Sequence, residues 1–191
     1  MDQIKDLRAA IARTMTDALM SVDVATHPRA EFTTGDLSEA LKNRPCAVRV
    51  AFSGVPEAAQ LSAGEIDVPC AFTVYVAAKD GHGSFAGNAG AQRGDLAIVT
   101  ATAVMALVCV GKWGVENTRK PKNVRLHSLY SGEIDTKSAT VWSVSWLQTV
   151  SIPIVDEDAL DLRPLLKLLT SYDLEPADGA FEAQDSINMR P

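Results

Sequence analysis

The segment Gly81-His82-Gly83-Ser84-Phe85-Ala86-Gly87 is where this chain comes nearest to a chemical motif. Glycines between a strand pattern and a helix pattern can turn backbone N–H groups onto a phosphate. The spacing is not GxGxxG, no GK[ST] follows, and the helical pattern opens only some residues later. The segment therefore reads as a mobile loop, either disordered alone or ordered by a partner. Asp156, Glu157, Asp158 and Asp161 suggest a calcium loop. That chemistry needs acids at alternate positions, a central glycine and a closing glutamate. The glycine and that glutamate are absent and Pro164 follows, so the acids better suit a helix N-terminus. His27, His82 and His127 share no HExxH spacing, and Cys46, Cys70 and Cys109 form no CxxC pair. The thiols read as buried, reduced side chains serving as small hydrophobes in a reducing compartment. Arg93-Gly94-Asp95 spells an integrin-type tripeptide, read here as a loop end and helix cap. No set of polar residues converges on catalysis, a metal or a cofactor, and the expectation is a protein that is not an enzyme.

Two further groups suit contact better than chemistry. Arg119, Lys120, Lys122 and Arg125 form a basic cluster able to touch DNA or an acidic partner. Few aromatics interleave with it, as single-strand binding would require, so a solvated connection is the simpler reading. Trp142 and Trp146 share one face of a strand pattern, as core residues or as an interface hot spot.

Composition sets the frame for these groups. The 191 residues suffice for one domain with a substantial core. A net charge of -6 argues against sequence-independent nucleic-acid binding, which needs clustered cations. Met1 to Arg13 is charged and polar, unlike a signal peptide. The longest apolar run, Leu96 to Val110, is shorter than the roughly 20 residues of a membrane span and reads as a helix buried on most sides.

The elements follow from periodicity. Ile4, Leu7, Ile11, Met15 and Leu19 place one apolar stripe on a helix over about Gln3 to Ser21, ending before a loop around His27 and Pro28. Thr33 and Asp36 have capping-box spacing ahead of a short helix with Leu37 and Leu41. Val48, Val50 and Phe52 alternate as a strand, and a longer one runs from Ile66 to Ala78. Pro69 inside it implies an edge or a bulge. Asp95 opens the apolar helix, which Gly111 and Gly114 can stop. Val124 to Tyr130 and Ala139 to Ile152 then alternate as an antiparallel hairpin. Beyond Pro153 the chain turns acidic, with a short amphipathic helix over Leu162 to Leu169 and an extended or disordered arm to Pro191. The expected fold is α+β: a mixed or antiparallel sheet of about four main strands in ββ-α-ββ order, packed by an N-terminal helix and a central apolar helix. The expected division is residues 1–154 as the domain and 155–191 as an acidic helix and arm.

This series, from the N-terminal helix through the Pro45–Phe52 strand, the Val68–Ala78 strand, the glycine-rich loop and the apolar helix to the Trp142–Pro153 strand, resembles the small neck protein of Mu-like phages. That family is similar to the tail terminators of long-tailed phages. The resemblance covers about Ile4 to Ile154 and lies in element order. It implies a structural virion protein of the tail and neck, assembled in the host cytoplasm. Six copies would form a homohexameric ring that caps the tail tube and joins the head connector, with genomic DNA passing through its bore without specific binding. An acidic subunit suits such a bore. The partners implied are other copies of the chain, the tail tube protein and a connector or neck protein, with no membrane and no cofactor. Candidate interface residues are Lys79, His82, Phe85, Arg93, Arg119, Lys120, Trp142 and Trp146. A head-completion or connector-adaptor protein is the nearest alternative. A small ligand-binding or enzymatic α+β domain is the alternative of another class.

Overall fold

The computed structural model describes residues 3–42, 44–57, 59–62, 65–79, 93–111, 113–129, 134, 137–153, 167–172 and 183–188. The chain divides into two units, Met1–Ile152 and Pro153–Pro191.

The first unit is an α+β body. Helix α1 (Gln3–Ala18) buries Leu7, Ala10, Ile11 and Met15 along the stripe its spacing predicts. Where a loop was expected around His27, strand β1 (Asp23–His27) runs parallel to β2 (Cys46–Gly54), with Asp23 opposite Ala47 and His27 opposite Ala51. Parallel neighbours need a crossover, and α2 (Thr34–Ala40) supplies it. Five residues ending at a proline are too few to display alternation, which is why β1 is silent in the sequence. Helix α2 opens on the expected capping box: the Thr33 hydroxyl accepts from the Asp36 N–H, and the Asp36 carboxylate accepts from the Thr33 N–H at 2.8 Å.

Strand β3 (Gln60–Ser62) and strand β4 (Glu65–Lys79) form a short hairpin, and β4 is also antiparallel to β2. Strand β5 (Lys122–Ser128) is antiparallel to β6 (Ala139–Pro153). The resulting mixed sheet has six strands in the order β1-β2-β4-β6-β5, with β3 paired to β4 off that path. The sequence pattern predicts about four; β1 and β3, with five and three residues, are too short to show a period and account for the difference. Strand β4 lies inside the sheet, yet Pro69 costs it little. On that side β3 pairs with residues 65–67 and β2 with residues 71–78, so the missing N–H falls in the gap between two partners.

One face of the sheet carries Val48, Val50, Phe72, Val74, Val76, Val144, Trp146 and Val150. Helix α1 lies on this face beside β1 and β2, and α3 (Arg93–Val110) beside β4 and β5. The opposite face has a smaller apolar cluster, where Leu37, Ala40 and Leu41 meet Ala47, Ala77, Ala139 and Val141.

Helix α3 corrects the expectation of burial on most sides. It buries one stripe, Ala97, Thr100, Ala101, Val104 and Val108, whose small side chains let the helix approach the sheet closely. Ile98, Val99 and Val110 on its other side are 41, 67 and 60% exposed. An all-round apolar sequence hides which face is covered, because the contrast that marks a face is missing. By length and composition α3 could cross a membrane, although here it lies along the sheet.

In the second unit, β7 (Lys167–Tyr172) and β8 (Ala183–Asn188) form a two-stranded antiparallel sheet. This corrects the expected helix over its last residues, Lys167 to Leu169. Leu168, Thr170 and Tyr172 alternate with Leu169 and Ser171, and that period of two prevails over the leucine spacing. Residues 161–166 lie outside the described set.

Candidate functional surface

The basic cluster sits where the chain leaves α3 and enters the outermost strand β5. Gly111 makes that exit. Its φ of 60° is left-handed, its N–H donates to the Leu107 carbonyl at 3.1 Å, and any Cβ there would collide with the Pro121 ring. Trp113 is then buried, and its indole N–H donates to Gln148 Oε1 at 3.0 Å. The Trp146 indole donates to the same oxygen at 3.2 Å, while Gln148 Nε2 donates to the Arg119 carbonyl at 3.0 Å. Gln148 is only 1% exposed, so its amide serves two indoles and one carbonyl that water cannot reach readily. Two backbone bonds add to this seam: Arg119 N–H donates to Thr149 at 2.9 Å, and Ser151 N–H donates to Asn117 at 2.8 Å. Asp67 accepts from the Arg119 guanidinium with one oxygen and from the Ser151 hydroxyl with the other.

The anchored backbone presents Lys120, Lys122, Arg125 and His127 to solvent. Among the described residues no acid pairs with Lys120, Lys122 or Arg125. Between Lys122 and Arg125 the strand holds one residue more than its partner, and Asn123 takes a φ of 54°. This is a β-bulge, which re-aims the side chains on either side of it. A shallow cavity of about 300 Å³ beside it is lined by Glu57, Thr73, Asn123, Arg125, Ser145 and Leu147.

A second polar group lies at the other edge. His27 is buried, and its Nε2–H donates to the Glu31 carbonyl at 2.9 Å. Phe32 and Tyr75 pack edge-on to its ring, with centroids at 5.6 and 6.4 Å. Arg29 pairs with Asp36 at 2.6 Å, and Arg49 pairs with Asp23 at 2.6 Å. Hydrogen bonds from Thr33, with the Arg29 guanidinium adding to them, hold the Asp36 carboxyl down at about 2. A cavity of about 390 Å³ is lined by His27, Arg29, Asp36, Glu39 and Arg49. Its cations and its histidine are already engaged with protein partners, which suits a brace between β1 and α2 better than a ligand site.

The other expected residues lie as follows. Trp146 is a core residue at 2% exposure, stacked on Phe72 at 5.7 Å, and Trp142 is half-buried beside that core. Lys79 ends β4 with its ammonium on the Leu41 carbonyl, and Arg93 is half-buried at the start of α3. Arg119 and Lys120 are brought together with Lys122 and Arg125. His82 and Phe85 lie outside the described residues. Cys46 and Cys70 are buried as expected, whereas Cys109 is exposed on α3. Burial raises the Cys46 thiol and pushes that of Cys70 up to about 11. Among the described residues no group of three or more His, Cys, Asp or Glu could hold a metal ion. Gln148 is the residue the sequence reading passed over. Its signal was one amide on a strand face otherwise made of Trp142, Val144, Trp146 and Val150. No protein-family model matches the chain, and a search of the curated proteins finds no match.

Proposed function

We propose that the chain is a structural subunit of a phage neck, a tail terminator that forms a ring on the end of the tail tube and joins it to the head connector. The observation that carries this reading is the outward face of α3. From Leu96 to Val110 the helix has no charged residue, and Ile98, Val99 and Val110 stand exposed on the side away from the sheet. A helix bound to its own sheet by one face and apolar on the other suits a protein neighbour. The β5 edge, outermost in the sheet among the described residues, is a second and chemically different patch. A closed ring requires two unlike patches on each subunit.

The ββ-α-ββ order expected from the sequence is met only roughly: β2, β4, α3, β5 and β6 follow it, and β1 and β3 lie outside it. The six-fold ring, passage of DNA through its bore, and a place in the virion follow from the resemblance to the phage neck protein. The test is the molar mass of the purified full chain by light scattering, alone and with its tail tube protein. Rings of about six subunits, free or on tube ends, are the expected result. A monomer that ignores the tube overturns the reading, and assembly only with connector protein moves the chain to the head side of the neck.

A further inference from the structure

We propose that the β5 edge receives the acidic residues 153–191 of a second copy of the chain. The proposal rests on the ring reading and names what one of the two patches, the β5 edge, receives.

The first observation is where the charge lies. Residues 153–191 hold nine of the 24 acidic residues and three of the 18 basic ones, and so carry the whole net charge of -6. The remaining 15 acids and 15 bases, all in residues 1–152, cancel. The chain is therefore a neutral body with a strongly anionic end, although its overall composition reads only as mildly acidic.

The second observation is where the body leaves positive charge unspent. Lys120, Lys122 and Arg125 are exposed on the outermost strand and the residues leading into it, with no acid paired to them among the described residues. The Gln148 network and the Asn117–Ser151 bond fix that backbone, so a partner meets cations already in position.

The third observation decides against an identical strand as the occupant. Cations and a bulge on an edge are the devices that stop two like edges from pairing. Two β5 strands side by side would set Lys122 and Arg125 of one copy against those of the other. The same charges attract an acidic chain, so this edge selects its partner by sign. A two-stranded antiparallel sheet such as β7–β8 is marginal alone in water and gains stability from a partner. Duplex DNA could use the charge but not the open N–H and C=O groups of the strand, and few aromatics are present for stacking.

The experiment uses two full-length variants. In one, Lys120→Glu, Lys122→Glu and Arg125→Glu reverse the edge. In the other, Asp156→Lys, Glu157→Lys and Asp158→Lys reverse part of the acidic end. Molar mass is followed by sedimentation in low and high salt, with thermal melting to confirm that the substitutions leave the fold intact. Wild type is expected to assemble and to weaken about tenfold as salt screens the contact. Each variant alone is expected to stay small, and an equimolar mixture of the two to restore assembly. Wild-type-like assembly of the edge variant overturns the docking and leaves the ring reading standing. A mixture that does not assemble overturns contact between copies. Wild type that forms no assembly, even on tubes, removes the ring reading and this proposal with it. Wild-type retention of a short DNA duplex that the edge variant loses assigns the cations to nucleic acid and overturns the proposal.

Discussion

The two edges of the sheet spend their charges differently. At the β1 edge each cation meets a partner in the body: Arg49 holds Asp23, Arg29 holds Asp36, and Arg8 donates to the His27 carbonyl at 3.1 Å. At the β5 edge only Arg119 does so, through Asp67, while Lys120, Lys122 and Arg125 stand without an acid among the described residues. An edge whose charges are spent internally contributes to folding. An edge with cations free on a fixed backbone contributes little to folding and is available for association. Among the described residues, the charges that brace the fold and those without an acid thus lie at opposite edges of one sheet.

The comparison breaks most sharply at Gln148. Gln148→Leu leaves two indole N–H groups and one carbonyl unpaired in a buried site, and about 3 kcal/mol of stability is expected to go in urea denaturation. A loss below about 1 kcal/mol would show that the backbone leading into β5 is not anchored from the core. Arg49→Ala comes next. Arg49 bonds both the carboxylate and the carbonyl of Asp23 and is partly buried, so about 2 kcal/mol is expected. A neutral result would make the β1 edge as idle as β5.

Thr33→Ala removes the cap of α2 and is expected to cost about 1 kcal/mol. It also tests the acid limb of the stability curve. The Asp36 carboxyl lies at about 2 instead of 3.8, chiefly because the Thr33 hydroxyl and N–H bond to its ionised form. A depressed carboxyl stabilises the fold above the unfolded value and loses that contribution as pH falls from about 4 towards 2. The slope in that window is expected to flatten in Thr33→Ala, and an unchanged slope would remove Asp36 as its source. The smallest effect closes the series. Lys122→Gln with Arg125→Gln is expected to shift stability by less than about 0.5 kcal/mol. A larger loss would mean that the β5 cations do serve the fold.

Sequence reading succeeded where residues repeat long enough to show a period. The stripe of α1, the alternation of β2, β4 and β6 and the Thr33–Asp36 cap were all visible before any coordinates. It failed where the deciding information is three-dimensional. Strand β1 exists because β2 offers an open edge and α2 can cross over to it, neither of which Asp-Val-Ala-Thr-His states locally. The outward apolar face of α3 was hidden by the uniformity of the helix. The role of Gln148 depends on Trp113, 35 residues away. The basic cluster was legible as a cluster, but its place on the outermost strand required the sheet order.

The placement of the thiols gives the natural sequence its own reporter. Cys46 and Cys70 are sealed in the core, while Cys109 opens to solvent on the same outward side of α3 as Val110. A maleimide dye added to the native protein would therefore mark a single position on the apolar face without any engineering. Its emission or its protection from reagent would report in real time whether anything comes to cover that face.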